Sequence, residues 1–331
     1  MKNWFDRSAH VAASCALTAM GLMTSIGAVA ADNDPFPNKS IRVIVPFGAG
    51  SGTDLTTRYM AQAVSDTLGW KFLVDNKPGA NGFIAVQELL RSVPDGYTMM
   101  MSGNTTHAAN PVLFKKLPYD PIEDFIPLAR LNVAPLVLFV APKHQIDNVG
   151  QLIDLIRKNP GKMAFATGSA SHRAAAEIFK LGKQLDVVHA PYKSSPQAIT
   201  DLLGGHVDFM FVDLGAGMSF IRSNQLKAVA LTSLKRLDVL PSVPTMNESG
   251  FTGMEVTGWT GLFLPKKTPQ PVVDTLSRAV MQYAASDAAR KFATDNGSVI
   301  EVMTPVQSLA WVKSEISRYG QIYKQAGIEA E

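Results

Sequence analysis

Ile41-Arg42-Val43-Ile44-Val45-Pro46-Phe47-Gly48-Ala49-Gly50-Ser51-Gly52-Thr53-Asp54 is the stretch from which the rest of the chain is best read. Ile41, Val43, Ile44 and Val45 are β-branched and barely alternate with polar residues, the pattern of a strand covered on both faces. Pro46 has no amide with which to continue a ladder. Gly48, Gly50 and Gly52 allow a sharp turn that leaves backbone N–H groups exposed. Thr53 or Asp54 is then placed to cap a helix running through Leu55, Met60, Ala63, Val64 and Leu68. A strand that feeds a helix through such a loop points unpaired amides and the positive end of the helix dipole at one spot. The spot suits an anion, either a phosphate or a carboxylate.

Spacing argues against a dinucleotide. The glycines read G-x-G-x-G, whereas the dinucleotide loop is G-x-G-x-x-G, and Thr53 stands at its third glycine position. Asp75, at the end of a second strand-like run from Lys71 to Val74, lies about where a ribose-binding acid is needed. The same residue also opens the turn Asp75-Asn76-Lys77-Pro78-Gly79. No Gly-Lys-Ser/Thr follows the loop, so a mononucleotide P-loop is absent.

Upstream, residues 1–31 read as an export signal. Lys2 and Arg7 lie near the start, Val11 to Met23 is apolar and small, and Ala28-Val29-Ala30 supplies a cleavage site, with a cut after Ala31 as the neighbouring choice. The apolar run is too short to span a bilayer. The expectation is a soluble, exported protein cleaved near Ala30 or Ala31. Cys15, the one cysteine among 331 residues, falls inside the signal. A mature chain without it has no disulfide, and a core of this size needs none. Losing Lys2, Asp6 and Arg7 takes the formal charge from +3 to +2. That balance gives no footing for nucleic acid.

From Ile41 on, strands and helices alternate. The first unit reads as strand 41–47, helix 54–68, strand 71–75, helix 82–92 and strand 97–102. A polar loop, Ser102-Gly103-Asn104-Thr105-Thr106-His107, follows at a strand's carboxyl end, where open α/β sheets bind ligands. Residues 118–125 mark a surface connection, and 133–140 is a long apolar strand. A second unit begins with helix 149–158 and strand 162–166. Thr167-Gly168-Ser169-Ala170-Ser171-His172 then repeats the strand, small-residue loop, helix design, with the helix running from Arg173 to about 181. Strand 187–191, a helix from Pro196 to Leu203, strand 207–212 ending at Asp213, and strand 226–231 follow. Residues 256–264 return as a strand, and helices 271–285, 287–296 and 305–326 close the chain. Two α/β units with crossings near 133–140 and 256–264 predict two lobes joined by two strands.

Catalytic constellations are missing. There is no G-x-S-x-G elbow. Ser171 and His172 are adjacent, a poor arrangement for a nucleophile and its base. His107, His144, His172, His189 and His206 lack metal-binding spacing, so no metal is expected. His172 starts a helix beside the second loop, where it either serves the site or faces solvent. Lys193 either lends charge to a cleft or lies solvated on a loop. Arg173 either meets a distal anionic group or sits on the surface. Asp213 either accepts an N–H or O–H from a ligand or caps the next helix. Phe47, Phe83 and Trp259 either wall a pocket or fill core, and core is the better reading for Trp259.

Ordered motifs then carry a resemblance over almost all of the mature chain. They are Pro37-Asn38-Lys39-Ser40 leading into 41–47, the glycine-rich 48–52 with Asp54, Asn76 to Gly82, Pro94-Asp95-Gly96-Tyr97-Thr98, Pro118-Tyr119-Asp120-Pro121, His189-Ala190-Pro191-Tyr192-Lys193, Leu240 to Thr245 and Trp259-Thr260-Gly261. Together they resemble the Bug-type extracytoplasmic solute receptors (TctC), the substrate-binding components of tripartite tricarboxylate transporters. The resemblance implies an α/β, two-lobed, type II periplasmic binding protein fold that closes like a flytrap. It implies lobe 1 over 32–136 plus 258–331 and lobe 2 over 137–257, with no enzymatic activity and no cofactor. A ligand carboxylate is implied to lie between loops of both lobes. In this chain those residues are Phe47, Gly48, Ala49, Gly50, Ser51, Gly52, Thr53 and Asp54, with Ser102, Asn104 and Thr105 beside them. Opposite stand Thr167, Gly168, Ser169, Ser171 and His172, with Tyr192, Lys193, Ser194 and Asp213. Two positions depart from the family pattern: Ser194 replaces a usual glycine and Arg173 a frequent leucine. The implied partners are a small organic carboxylate and a membrane transporter, and a monomer is expected. Dicarboxylates, tricarboxylates, acidic amino acids and aromatic acids are all compatible, with one or two carboxylates favoured because no basic cluster is evident. A sensor feeding a membrane signalling protein and an exported enzyme are the competing classes.

Overall fold

Buried β-branched residues set the first strand. Ile41, Val43, Ile44 and Val45 are fully buried in β1 (Ile41–Val45), as expected for a strand covered on both faces. The computed structural model describes residues 36–330, so the export signal, its cleavage site and Cys15 lie outside the described residues. From Lys39 onward the chain forms one compact unit.

Around β1 the elements are α1 (Gly52–Leu68), β2 (Phe72–Asn76), α2 (Phe83–Arg91) and β3 (Thr98–Gly103), with β1 parallel to both β2 and β3. A four-residue helix α3 (Asn110–Leu113) leads to β4 (Phe125–Val140), a 16-residue strand. Beyond it come α4 (Val149–Lys158), β5 (Ala164–Thr167), α5 (Ala170–Gly182), β6 (Val188–Pro191) and α6 (Ser195–Leu203). β7 (Phe209–Asp213), α7 (Leu214–Arg222) and β8 (Ala228–Leu231) complete the second unit. β5 is parallel to both β6 and β7. The chain returns through β9 (Thr257–Pro265) and ends with α8 (Gln270–Ala284), α9 (Asp287–Asp295), β10 (Val299–Met303) and α10 (Pro305–Gln325).

β4 links the two sheet halves. Its first part pairs antiparallel with β9 and β10, and from Leu136 onward it pairs with β7 and β8. β9 in turn pairs with β3, so β4 and β9 are the two crossings. Separate cores flank them. One packs Ile44, Val86, Leu89, Met100, Phe125 and Phe263. Another gathers Leu138, Leu152, Ile156, Phe165, Phe179 and Phe209.

Local structure departs from the sequence expectation at several places. α1 starts at Gly52 and is capped by Ser51, whose hydroxyl accepts the Asp54 amide at 3.3 Å, so neither Thr53 nor Asp54 is the cap. Asp54 instead accepts the Gly50 amide at 2.9 Å, which leaves two amides satisfied reciprocally around the cap. The polar stretch after β3 is not an open loop. Thr105–Ala109 is a buried π-helical turn, fixed by Ser102 Oγ to Thr106 Oγ1 at 2.6 Å and Thr106 Oγ1 to His107 Nδ1 at 2.8 Å. α5 begins at Ala170, before the expected Arg173, so Ser171 and His172 lie in its first turn. β4 begins at Phe125 within what reads as a surface connection, and β10 has no counterpart in the sequence reading.

Candidate functional site

Four strands deliver their carboxyl ends to one place. β1 leads to Phe47 and α1, β3 to Asn104 and Thr105, β5 to Ser169 and α5, and β7 ends at Asp213. These residues wall a cavity of about 60 Å³, enough for a few waters or a small polar group. Phe47, Ser51, Gly52, Thr53, Asn104, Thr105, Ser169, Ser171 and Asp213 all line it.

Backbone amides dominate one side of the chemistry. Gly52 and Thr53 open α1 with amides that have no partner inside the helix; at the start of α5 the Ala170 amide is taken by Thr105 Oγ1 at 3.1 Å, and Ser171 lines the cavity. The starts of both helices stand in the cavity wall, so their positive dipole ends lie beside it. The side chains that line it include hydroxyls and amides but no lysine or arginine. Asp213 is its only carboxylate.

Asp213 is positioned by its neighbours and does not cap the helix after it. His172 is fully buried; its Nδ1 accepts the Gly168 amide at 3.3 Å, and Nε2 meets Asp213 Oδ2 at 3.2 Å. An acceptor at Nδ1 leaves the ring proton on Nε2, so His172 donates to Asp213. The close approach of Asp213 also requires glycine at two positions. A Cβ on Gly52 would stand 2.9 Å from the Asp213 Cβ, and one on Gly258 would stand 3.0 Å from Oδ1.

The remaining candidates are placed elsewhere. Asp54 is buried, binds Arg58 at 3.0 Å, and accepts Asn76 Nδ2 at 2.9 Å and the Gly50 amide, so its carboxylate locks the loop and does not face the cavity. Ala49 is exposed, and Gly50, with φ +83°, borders a separate hollow beside Pro196. Ser102 bonds within the π-helical turn. Gly48 and Ser194 meet each other, the Gly48 amide donating to Ser194 Oγ at 3.0 Å. Thr167, Gly168, Tyr192 and Lys193 line a neighbouring cavity of about 450 Å³. Tyr192 donates to Asp201 at 2.6 Å, and burial, then Asp201, push its hydroxyl pKa up to about 12.

Other cavity residues escaped the sequence reading. Thr56, Asn132, Gly258, Thr260, Phe292, Asn296 and Ser298 also form its wall. Asn132 carried a faint signal, a polar residue beside the apolar 133–140 run; it accepts the Thr260 hydroxyl across the two crossing strands. Trp259 does both jobs weighed for it. It packs in the first core and lines the cavity, its amide donating to Asn104 at 2.8 Å and its indole to buried Glu315 at 3.0 Å.

Nothing here resembles a nucleophile and its base. Ser171 Oγ contacts Ser169 Oγ at 3.0 Å, and His172 is committed to Gly168 and Asp213. Asp75, the ribose-acid candidate, is taken by Arg42 at 2.9 Å and by Lys77.

Two α/β lobes with facing helix starts over a cleft define a periplasmic binding protein. The chain belongs to the tripartite tricarboxylate transporter receptor family (TctC), whose pattern matches residues 56–328. It is 31% identical to protein BugT of Bordetella pertussis over 316 residues, 94% of this chain and 97% of the relative. The structure of periplasmic binding protein BugD superposes with TM-score 0.84 at 31% identity, covering 89% of this chain and 100% of that one. A Rhodopseudomonas palustris protein with adipate gives TM-score 0.86 at 28% identity, over 89% and 100% of the two chains. MatC from the same organism, with bound malate, gives 0.80 at 29%, over 87% and 99%. The family is one of solute-binding receptors and not of enzymes. Among the described residues no helix is long and apolar enough to cross a membrane.

Proposed function

We propose that this protein is an exported receptor that captures a small organic carboxylate between its lobes and hands it to a membrane transporter of the tripartite tricarboxylate type. One observation carries the reading: the cavity is walled by the amide ends of α1 and α5, by hydroxyls and by Asp213, with no cationic side chain. Amides and helix dipoles hold a carboxylate without a salt bridge, and Asp213 favours a ligand that also offers it a hydroxyl or amino hydrogen. The adipate and malate bound to two structural relatives support the ligand class. Export is supported by the signal-like residues 1–31 and by the family. The division into lobe 1 (32–136 and 258–331) and lobe 2 (137–257) is supported by β4, which changes partner from β9 to β7 between Pro135 and Leu136.

A thermal-shift screen of the chain from Asp32 tests the reading. Malate, adipate, aspartate, benzoate and citrate would be compared with NAD and with the amides of the same acids. At least one carboxylate is expected to raise the melting temperature in proportion to the logarithm of its concentration, by mass action. Stabilisation by NAD alone, or by the amides as strongly as the acids, overturns it.

A further inference from the structure

The cavity of about 450 Å³ adjoins the first one, and Phe47, Thr105 and Ser169 stand in the walls of both. Its chemistry differs. Arg173 and Lys193 line it together with His189, and no carboxylate does. Arg173 is half-buried. Its Nε is inaccessible and has no hydrogen-bond partner, and its guanidinium lies 5.8 Å above the Tyr323 ring. Neither half-buried Arg173 nor exposed Lys193 forms an ion pair with any described residue, whereas Arg58, Arg130 and Arg318 each meet a carboxylate. The local field is visible at His189, whose pKa is lowered to about 4 by burial first and then by Arg173 and Lys180. The histidine is thus neutral at pH 7 and donates to or accepts from Thr167 Oγ1 at 2.7 Å. The chamber wall holds two cationic groups and no carboxylate, the nearest acid on the same helix being buried Glu177 one turn from Arg173.

We propose that this chamber is an anion subsite and that the ligand is an elongated dicarboxylate. One carboxylate lies at the helix ends in the first cavity, and the second lies between Arg173 and Lys193. The proposal rests on the carboxylate-receptor reading and extends it. Phe47, common to both walls, offers the apolar surface along which the connecting methylenes pass. A guanidinium fork matches a carboxylate in two parallel hydrogen bonds, which fixes where the far end stops.

Calorimetric titration of the exported chain distinguishes the outcomes. The probes are the α,ω-diacids from succinate to suberate and the monoacids of matching length, butyrate to octanoate. The proteins are wild type, Arg173→Leu, Arg173→Lys and Lys193→Ala, each checked by its ligand-free melting curve. For one chain length the wild type is expected to favour the diacid over the monoacid by about tenfold or more. That ratio falls to about threefold or less in Arg173→Leu, or in Lys193→Ala should the leucine variant not fold, and recovers in part in Arg173→Lys. Equal binding of diacids and monoacids, or a diacid preference that survives both variants, overturns the subsite and leaves the receptor reading standing. Failure of every diacid and monoacid to bind overturns the subsite, and the receptor reading is then decided by aspartate, benzoate and citrate in the thermal-shift screen.

Discussion

Asp213 ends a strand and, in place of capping α7, turns its carboxylate into the cavity. His172 Nε2 donates to Asp213 Oδ2 at 3.2 Å, which fixes the carboxylate as an acceptor in the cavity wall. Asp213→Ala is therefore expected to erase any preference for malate over succinate, which differ by one hydroxyl, and competitive calorimetry reads this directly. An unchanged preference contradicts the role. Two buried histidines set the acid behaviour. Burial lowers His107 to about 3, and burial with Arg173 and Lys180 lowers His189 to about 4, from an ordinary 6.5. Unfolding takes up protons at these rings between pH 6.5 and about 4 for His189 and about 3 for His107, so their contribution to stability is full above pH 6.5 and declines as the pH falls through this window. His107→Gln with His189→Gln is expected to flatten the dependence of melting temperature on pH there, whatever it does to the absolute value. At this scale the sequence showed Asp213 and the glycine loop, because both follow from position at a strand's end. It did not show that Asp54 turns inward to Arg58, Asn76 and Gly50, since the Asn76 bond depends on how strand β2 lies against the loop.

Helix α1 was legible through its period and its glycine lead-in, but the cap moved to Ser51 because the helix starts two residues before Asp54. Removing that hydroxyl in Ser51→Ala is expected to cost about 1 kcal/mol in denaturant unfolding. β4 was half legible. Its apolar second part is plain, while Pro127 hides the first part, because proline argues against a ladder position; here it sits where the register shifts, between Pro127 and Ala129. β10 was invisible because its exposed Val299 and Glu301 do not alternate cleanly with buried residues, and only pairing with β4 makes it a strand. Helix α10 reaches the site through Glu315, which is 2% exposed and accepts Trp259 Nε1 at 3.0 Å, Arg318 at 3.2 Å and Asn104 Nδ2 at 3.4 Å. Glu315→Ala leaves the indole unpaired, while Asn104 Nδ2 keeps the Thr257 carbonyl at 3.4 Å, at about 1–3 kcal/mol of stability. It is also expected to weaken carboxylate binding, because Asn104 and Trp259 line the cavity. Stability lost with affinity intact separates a packing role from a positioning one.

Across the whole molecule the order of elements, the two-lobed plan and the family resemblance came from the sequence, since alternating strand and helix patterns are local. The second cavity did not, because it exists only where Thr167–Arg173 and His189–Lys193 approach Phe47 and Gly79–Gly82. Two hydrogen bonds mark that approach: Gly48 amide to Ser194 Oγ at 3.0 Å, and Ala170 amide to Thr105 Oγ1 at 3.1 Å. A receptor that closes around its ligand by bending at β4 and β9 has an open state lacking these contacts. Small-angle scattering is expected to show a smaller radius of gyration with bound carboxylate than without. Ser194→Ala, missing one closing bond, is expected to bind several-fold more weakly with unchanged unfolding. The central claim, that helix-end amides hold a carboxylate, is tested most directly by titrating the exported chain with the best acid from the screen and with its methyl ester. The account predicts one-to-one binding of the acid and at least about a hundredfold loss for the ester, whose acyl oxygens carry no charge for the amides and dipoles to hold. Equal binding of acid and ester would contradict it.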